Sequence, residues 1–181
     1  MATARELDPV SLILITLESG YLLGQGKREQ GLARLKQVFE IEPDFWVAHL
    51  TLAGAQLADK EVDRAVETLR HADRLADGST QASAVLGLVL ARNGRTQEAQ
   101  AVLQTLLSAE KTRYVPPTSI ETVYAGLGES EAALAALERA YTVRDTRLAV
   151  MKTDARWTSL SKQPRFIALL EKMKLGAYQA A

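Results

Sequence analysis

The sequence predicts an all-α fold, an α-solenoid of about four helix pairs closed by short C-terminal capping helices. Three observations predict it. Residue types recur at a spacing of 34 positions, and a fixed period of that size marks a stacked array in which each unit buries its apolar face on the next. One recurring column, Gly26, Lys60, Gly94 and Gly128, is mostly glycine, the residue that closes a helix in a left-handed conformation without a Cβ penalty. Behind it run three columns at helical spacing: Gly31, Ala65, Ala99 and Ala133, then Leu35, Leu69, Leu103 and Leu137, then Val38, Ala72, Leu106 and Ala140. Residues three and four apart share a helix face, so the small column admits the neighbouring helix and the leucines fill the seam. A large side chain at Ala99 would overpack that seam at a cost of about 1–3 kcal/mol.

Taken in order, residues 1–9 read as the remnant of an upstream repeat's second helix, with an N-terminal cap as the alternative. Ala4, Leu7 and Pro9 stand 34 positions before Val38, Ile41 and Pro43, and proline belongs where one helix stops and the next begins. Residues 10–143 hold four pairs, expected at Val10–Gly24 with Arg28–Ile41, Phe45–Ala58 with Glu61–Leu75, Ser79–Arg92 with Thr96–Ser108, and Thr118–Leu127 with Ser130–Thr142. In the second turn Lys60 replaces glycine, and the neighbouring Asp59 is expected to help form the reversal. Asn93-Gly94 is a helix stop, and Pro116-Pro117 suits the first turn of the next helix. Residues 144–176 leave the period, as elements capping an exposed end do. They comprise short helices at Asp145–Lys152 and Trp157–Leu160, then an amphipathic helix, Arg165–Leu175, with Phe166, Leu169, Leu170 and Met173 on one face. Residues 177–181 are expected to form a disordered tail.

This pattern resembles the tetratricopeptide repeat family, in which Leu-Gly or Leu-Ala in the first helix is followed by Ala, an apolar residue, Ala and Pro. Leu86-Gly87, Gly94, Ala99 and Leu103 carry the match in one copy, and Leu52-Ala53, Ala65, Leu69 and Ala72 in another. The C-terminal run is similar to the ending of many bacterial tetratricopeptide regions, through Met151-Lys152, Asp154, Arg156, Trp157, Leu160, Pro164-Arg165-Phe166 and Leu169-Leu170. Gln163 stands where that ending has an acidic residue. The resemblance implies a regulatory or scaffolding module of a larger signalling protein.

Composition narrows the function classes. With 22 Lys plus Arg against 22 Asp plus Glu, the net charge is zero. Broad capture of nucleic acid or an anionic membrane needs a basic surplus, so neither partner is expected. The absence of cysteine removes disulfides, thiol catalysis and cysteine zinc sites. No apolar run reaches the length of a membrane span, and the N-terminus lacks the basic start and long apolar stretch of a secretory signal. A soluble chain is expected, cytoplasmic in the first instance, or periplasmic if its parent is membrane-tethered.

No cofactor or metal is expected either. His49 and His71 fit no paired-ligand spacing and read as surface or packing residues. Gly24-Gln25-Gly26-Lys27 suggests a phosphate loop, but Tyr21 stands where glycine is required, Arg28 where Ser or Thr is, and no strand precedes it. Glu40, Glu42 and Asp44 read as a solvated cluster at a repeat boundary. No set of groups converges as catalysis requires, so an enzyme is not expected.

The resemblance places a ligand on the first helix of each pair. The corresponding positions are Ile13, Thr16, Gly20, Leu23 and Gly24 in the first repeat, and Val47, Leu50, Gly54, Leu57 and Ala58 in the second. In the third they are Gln81, Ala84, Leu88, Ala91 and Arg92. Thr16 and Gly20 occupy the first pair of the Lys/Asn clamp with which some members hold a peptide carboxylate, so that clamp is absent. An apolar lining suits a protein or peptide partner that is itself apolar or amphipathic. Alternatively these residues pack against a missing upstream repeat, the tail, or a second copy in a homodimer, which would make the region a structural spacer or self-association domain. Two carboxylates break the pattern. Glu121 takes the small position of Ser19, Ala53 and Gly87, and Glu18 a usually apolar one; both are expected to reach water, because a buried carboxylate needs a partner.

Overall fold

A computed structural model describes residues 11–177. The expected remnant at residues 1–9 and positions 178–181 of the expected tail lie outside the described residues. Within them the fold is all-α and of the helical-repeat, α-solenoid class, with no strand. The helices are α1 Leu12–Gly24, α2 Arg28–Ile41, α3 Trp46–Ala58, α4 Val62–Leu75, α5 Thr80–Arg92, α6 Thr96–Glu110, α7 Pro117–Leu127, α8 Ser130–Thr142 and α9 Pro164–Lys172. Two 3₁₀ turns, Thr146–Val150 and Ala155–Leu160, separate α8 from α9.

The turn column has one physical explanation. Gly26, Lys60, Gly94 and Gly128 all take positive φ, between 65° and 78°. At each, the next residue's N–H reaches back to a carbonyl five positions earlier: Lys27 to Leu22 at 2.9 Å, Glu61 to Gln56 at 2.9 Å, Arg95 to Leu90 at 2.9 Å, and Glu129 to Tyr124 at 3.0 Å. This is the backbone closure that satisfies the last carbonyls of a helix. Lys60 adopts it without glycine's freedom, at φ 65°. The expected help from Asp59 is corrected here: its carboxylate pairs instead with Arg28 at the start of α2. Arg144 and Lys174 also have positive φ, 58° and 57°. The second helices α2, α4, α6 and α8 start at Lys27, Glu61, Arg95 and Glu129 with no side-chain cap.

The chain divides into two compact units, one ending at Ala82 and the other starting at Ser83. In the first, α1 pairs with α2 and α3 with α4. Ile15, Leu35, Val38 and Ala48 form one apolar cluster, with Leu23, Phe39 and Leu52 packed against it. Ala72, Ala76 and Ala82 form another, beside Trp46 and Leu50. Gly31 shows why the small column is small: a Cβ there would lie 2.6 Å from Leu23 Cγ, well inside carbon contact distance. The Ser19 hydroxyl donates to the Gly31 carbonyl at 2.8 Å and holds the two helices at that separation.

In the second unit α7 packs on α6, α8 and the second 3₁₀ turn. Every residue from Pro117 to Val123 is buried, although Thr118, Ser119, Glu121 and Thr122 are polar. Most of these groups are satisfied locally. Thr118 donates its hydroxyl to Asp145 at 2.6 Å, and Arg147 donates to the Ser119 hydroxyl at 3.0 Å. The expected short helices of the tail are 3₁₀ turns, because Asp145 and Asp154 accept the N–H of Arg147 and Arg156 two residues on, at 3.1 and 2.9 Å. Such side-chain bonds substitute for a helical ladder. The apolar face of α9 buries Phe166, Leu169 and Leu170 with Trp157, Leu160 and Leu137, and Met173 packs against the same cluster. Arg165 ties α9 to α8 through Glu138 at 2.7 Å and Glu131 at 2.8 Å.

Candidate functional site

A groove of about 600 Å³ opens in the first unit between α1 and α3. Gly20, Leu23 and Gly24 line it from α1, and Thr51, Gly54, Ala55 and Ala58 from α3. Gly26 and the Arg28–Asp59 ion pair close its turn end. The helical glycines do not serve helix packing at this place. A Cβ at Gly24 or Gly54 would meet nothing within 4 Å, and one at Gly20 only Thr51, at 3.8 Å. Glycine in a helix interior costs about 0.5–1 kcal/mol relative to alanine, and here it leaves bare backbone along the groove.

The residues anticipated on the first-helix face are partly brought together. Leu23, with Gly20, Gly24, Gly54 and Ala58, lines the groove. Ile13, Val47, Leu50 and Leu57 are exposed or half-buried elsewhere in the first unit, and Gln81 is exposed at the start of α5. Thr16 and Leu88 are buried, as is Ala84, so a ligand on that face would not touch them. Thr16 donates its hydroxyl to the Leu12 carbonyl at 2.7 Å. Leu88, in the second unit, lies against Gly126 of α7. Arg92, also in the second unit, is exposed and donates to the Arg156 carbonyl at 3.2 Å. Leu17 and Tyr21 are not among the anticipated positions, yet with Ile13 they form an exposed apolar stripe on α1, at 52, 61 and 43 % exposure. Their spacing of four, which places them on one helix face, was the available signal.

The carboxylates diverge. Glu18 is half-exposed and pairs with Arg34 of α2 at 3.3 Å, in keeping with access to water. Glu121 is fully buried, and the expectation that it reaches solvent is overturned. The α7 segment is enclosed on all sides, so rotation of the helix offers no exit. Its Oε1 has no hydrogen-bond partner, nor does the buried Trp157 Nε1. Burial pushes its pKa up to about 8, against the Trp157 indole, Arg156 and Thr122, which favour the charge. His49 and His71 are packing residues. The Phe39 and His49 rings lie 4.7 Å apart, and His71 meets His49 edge-on at 4.8 Å. Burial lowers the His49 pKa, a shift opposed by its bond to the Pro43 carbonyl and reinforced by His71. Glu40, Glu42 and Asp44 are exposed. Among the described residues no three His, Cys, Asp or Glu side chains are placed to share a metal ion, and no helix is long and apolar enough to cross a membrane.

Comparison with known proteins adds one finding. The tetratricopeptide repeat family model matches residues 22–88, which run from the end of α1 into α5. No curated protein matches the chain. Repeats of this family are non-catalytic scaffolds that generally mediate protein–protein interaction. With left-handed turns at the 34-residue period and paired helices in agreement with it, the matched segment, residues 22–88, is a tetratricopeptide repeat region.

Proposed function

We propose that this chain is a non-catalytic binding module of a larger regulatory or signalling protein, and that it holds an apolar or amphipathic peptide segment of a partner in the α1–α3 groove. The observation that supports this is the groove's lining: bare helical backbone at Gly20, Gly24 and Gly54, flanked by Leu23 and Ala58. Its volume, about 600 Å³, lies inside the roughly 300–1,000 Å³ range of ligand clefts. Missing Cβ atoms let another chain approach the helix axis closely, which favours a peptide over a bulky rigid ligand. The Arg28–Asp59 pair supplies polar groups at one end to set direction.

The test is selection of helical peptides from a displayed random library, followed by affinity measurement on Gly54→Trp and Ala58→Trp. Filling the groove should weaken binding at least tenfold, about 1.4 kcal/mol. Selected peptides that bind the filled variants as tightly as the parent would sink the reading. A second reading, self-association or a structural spacer, is favoured by the exposed Ile13, Leu17 and Tyr21 stripe. Light scattering across a concentration series tests it: a dimer that Leu17→Glu dissolves supports this reading, and a monomer throughout removes the self-association form.

A further inference from the structure

We infer that the contact between Glu121 of α7 and Trp157 of the second 3₁₀ turn is a proton-controlled latch, which docks the C-terminal cap while the carboxyl is neutral and loosens it when the carboxyl ionises. The geometry suits a carboxylic acid and not a carboxylate. Glu121 is wholly enclosed, and its Oε1 accepts no hydrogen bond. The Thr122 hydroxyl lies 3.4 Å from Oε2, but it donates to the Thr118 carbonyl at 2.7 Å. A hydroxyl has one proton, and with that proton shared with the Thr118 carbonyl, the bond Thr122 donates to Oε2 is long and weak. The Trp157 indole and Arg156 favour the ionised form, but burial outweighs them, so a carboxylate in such a place still carries a penalty.

No neighbouring cation is placed to neutralise it. From the second 3₁₀ turn, Arg156 faces Glu121 but bonds Asp154 through Nε at 2.9 Å and Nη2 at 2.7 Å, and stacks over Trp157 at 5.1 Å. Asp154 itself opposes a second negative charge. Arg92 of α5 binds the Arg156 carbonyl. On the other helices against α7, Arg139 of α8 pairs with Glu110 of α6 at 2.9 Å. Asp145 and Arg147 engage Thr118 and Ser119, one turn earlier on α7.

Release of the cap frees Glu121 to ionise as an ordinary carboxyl. The docked state therefore holds a proton that the undocked state gives up. Between the two pKa values, 4.5 and about 8, the undocked-to-docked ratio should rise about tenfold for each pH unit. Docking is firmest in acid and weakest above pH 8. Trp157 reports it directly, because Trp46→Phe leaves it the chain's single tryptophan.

The experiment follows Trp157 emission of the full chain from pH 5 to 9 in the Trp46→Phe background, with and without Glu121→Gln. The amide is nearly isosteric and cannot titrate. A red shift that grows between pH 5 and about 8 and levels off above it is expected in the parent, and a flat profile in the variant. Emission that does not move in the parent, or moves identically in both, overturns the latch. If Glu121→Gln fails to fold, the carboxyl carbon of Glu121 is titrated by NMR in the parent. A midpoint above 6 sustains the proposal and a lower one ends it.

Discussion

Replacing one glycine should loosen this protein, and replacing another should tighten it. Gly31 of α2 and Gly54 of α3 both lie within helices of the first unit, and alanine has the same intrinsic advantage at each, about 0.8–1 kcal/mol. Their surroundings differ. At Gly31 an added Cβ falls 2.6 Å from Leu23 Cγ, 2.9 Å from Leu23 Cδ2 and 3.2 Å from the Ser19 carbonyl. Leu23 Cγ is a branch point and cannot swing aside as a chain tip would. The Ser19–Gly31 hydrogen bond at 2.8 Å resists separation of the helices. Overpacking of this kind costs about 1–3 kcal/mol, so Gly31→Ala should be destabilising by about 1 kcal/mol after the propensity gain. At Gly54 the Cβ meets nothing within 4 Å, and Gly54→Ala should stabilise by about 0.5–1 kcal/mol. Urea titrations followed by circular dichroism, compared at unchanged m-value, read both. Shifts of the same sign would refute the reasoning, as would failure of Leu23→Ala to relieve Gly31→Ala in a double-mutant cycle.

Lys60 holds a left-handed turn at φ 65°, where an L-residue with a Cβ is disfavoured by about 1–2 kcal/mol. Lys60→Gly should therefore raise the urea midpoint by the equivalent of about 1 kcal/mol, and an unchanged midpoint would count against strain at that corner. The half-buried His49 is a group whose folded pKa is lowered, first by burial and further by His71, against its Pro43 bond. Its contribution is therefore present above pH 6.5 and lost as pH falls through the folded value. Stability should decline below pH 6.5 and decline less in His49→Gln, as measured by thermal melts across that range.

Most of the helical framework is legible in the residues because local chemistry repeats. The reversals at Gly26, Gly94 and Gly128 need only a left-handed residue and a backbone bond, and period plus glycine announces both. Register places Lys60 in the turn as well. Legibility fails where a distant residue decides the outcome. The burial of Glu121 depends on Trp157, 36 positions on, and no local pattern conveys it. Asp59 sits in a turn but answers to Arg28 on another helix. In the candidate groove the glycines and Leu23 were visible as a group. Thr16 and Leu88 were not separable from them, because a positional rule taken from a family does not register how far each helix is rotated. In the tail, Asp145 and Asp154 bond the backbone two residues on, and so wind into 3₁₀ turns what the sequence reads as short helices.

The corners of the hairpins have one more consequence. Lys27, Glu61, Arg95 and Glu129 each open a second helix, yet none uses its side chain to do so. Main-chain atoms carry the whole reversal. Glu61 and Arg95 still pair with Arg64 and Glu98 one turn on, so Lys27 and Glu129 are the two corners where charge can be reversed or erased to retune the surface potential while the backbone closure stays as it is.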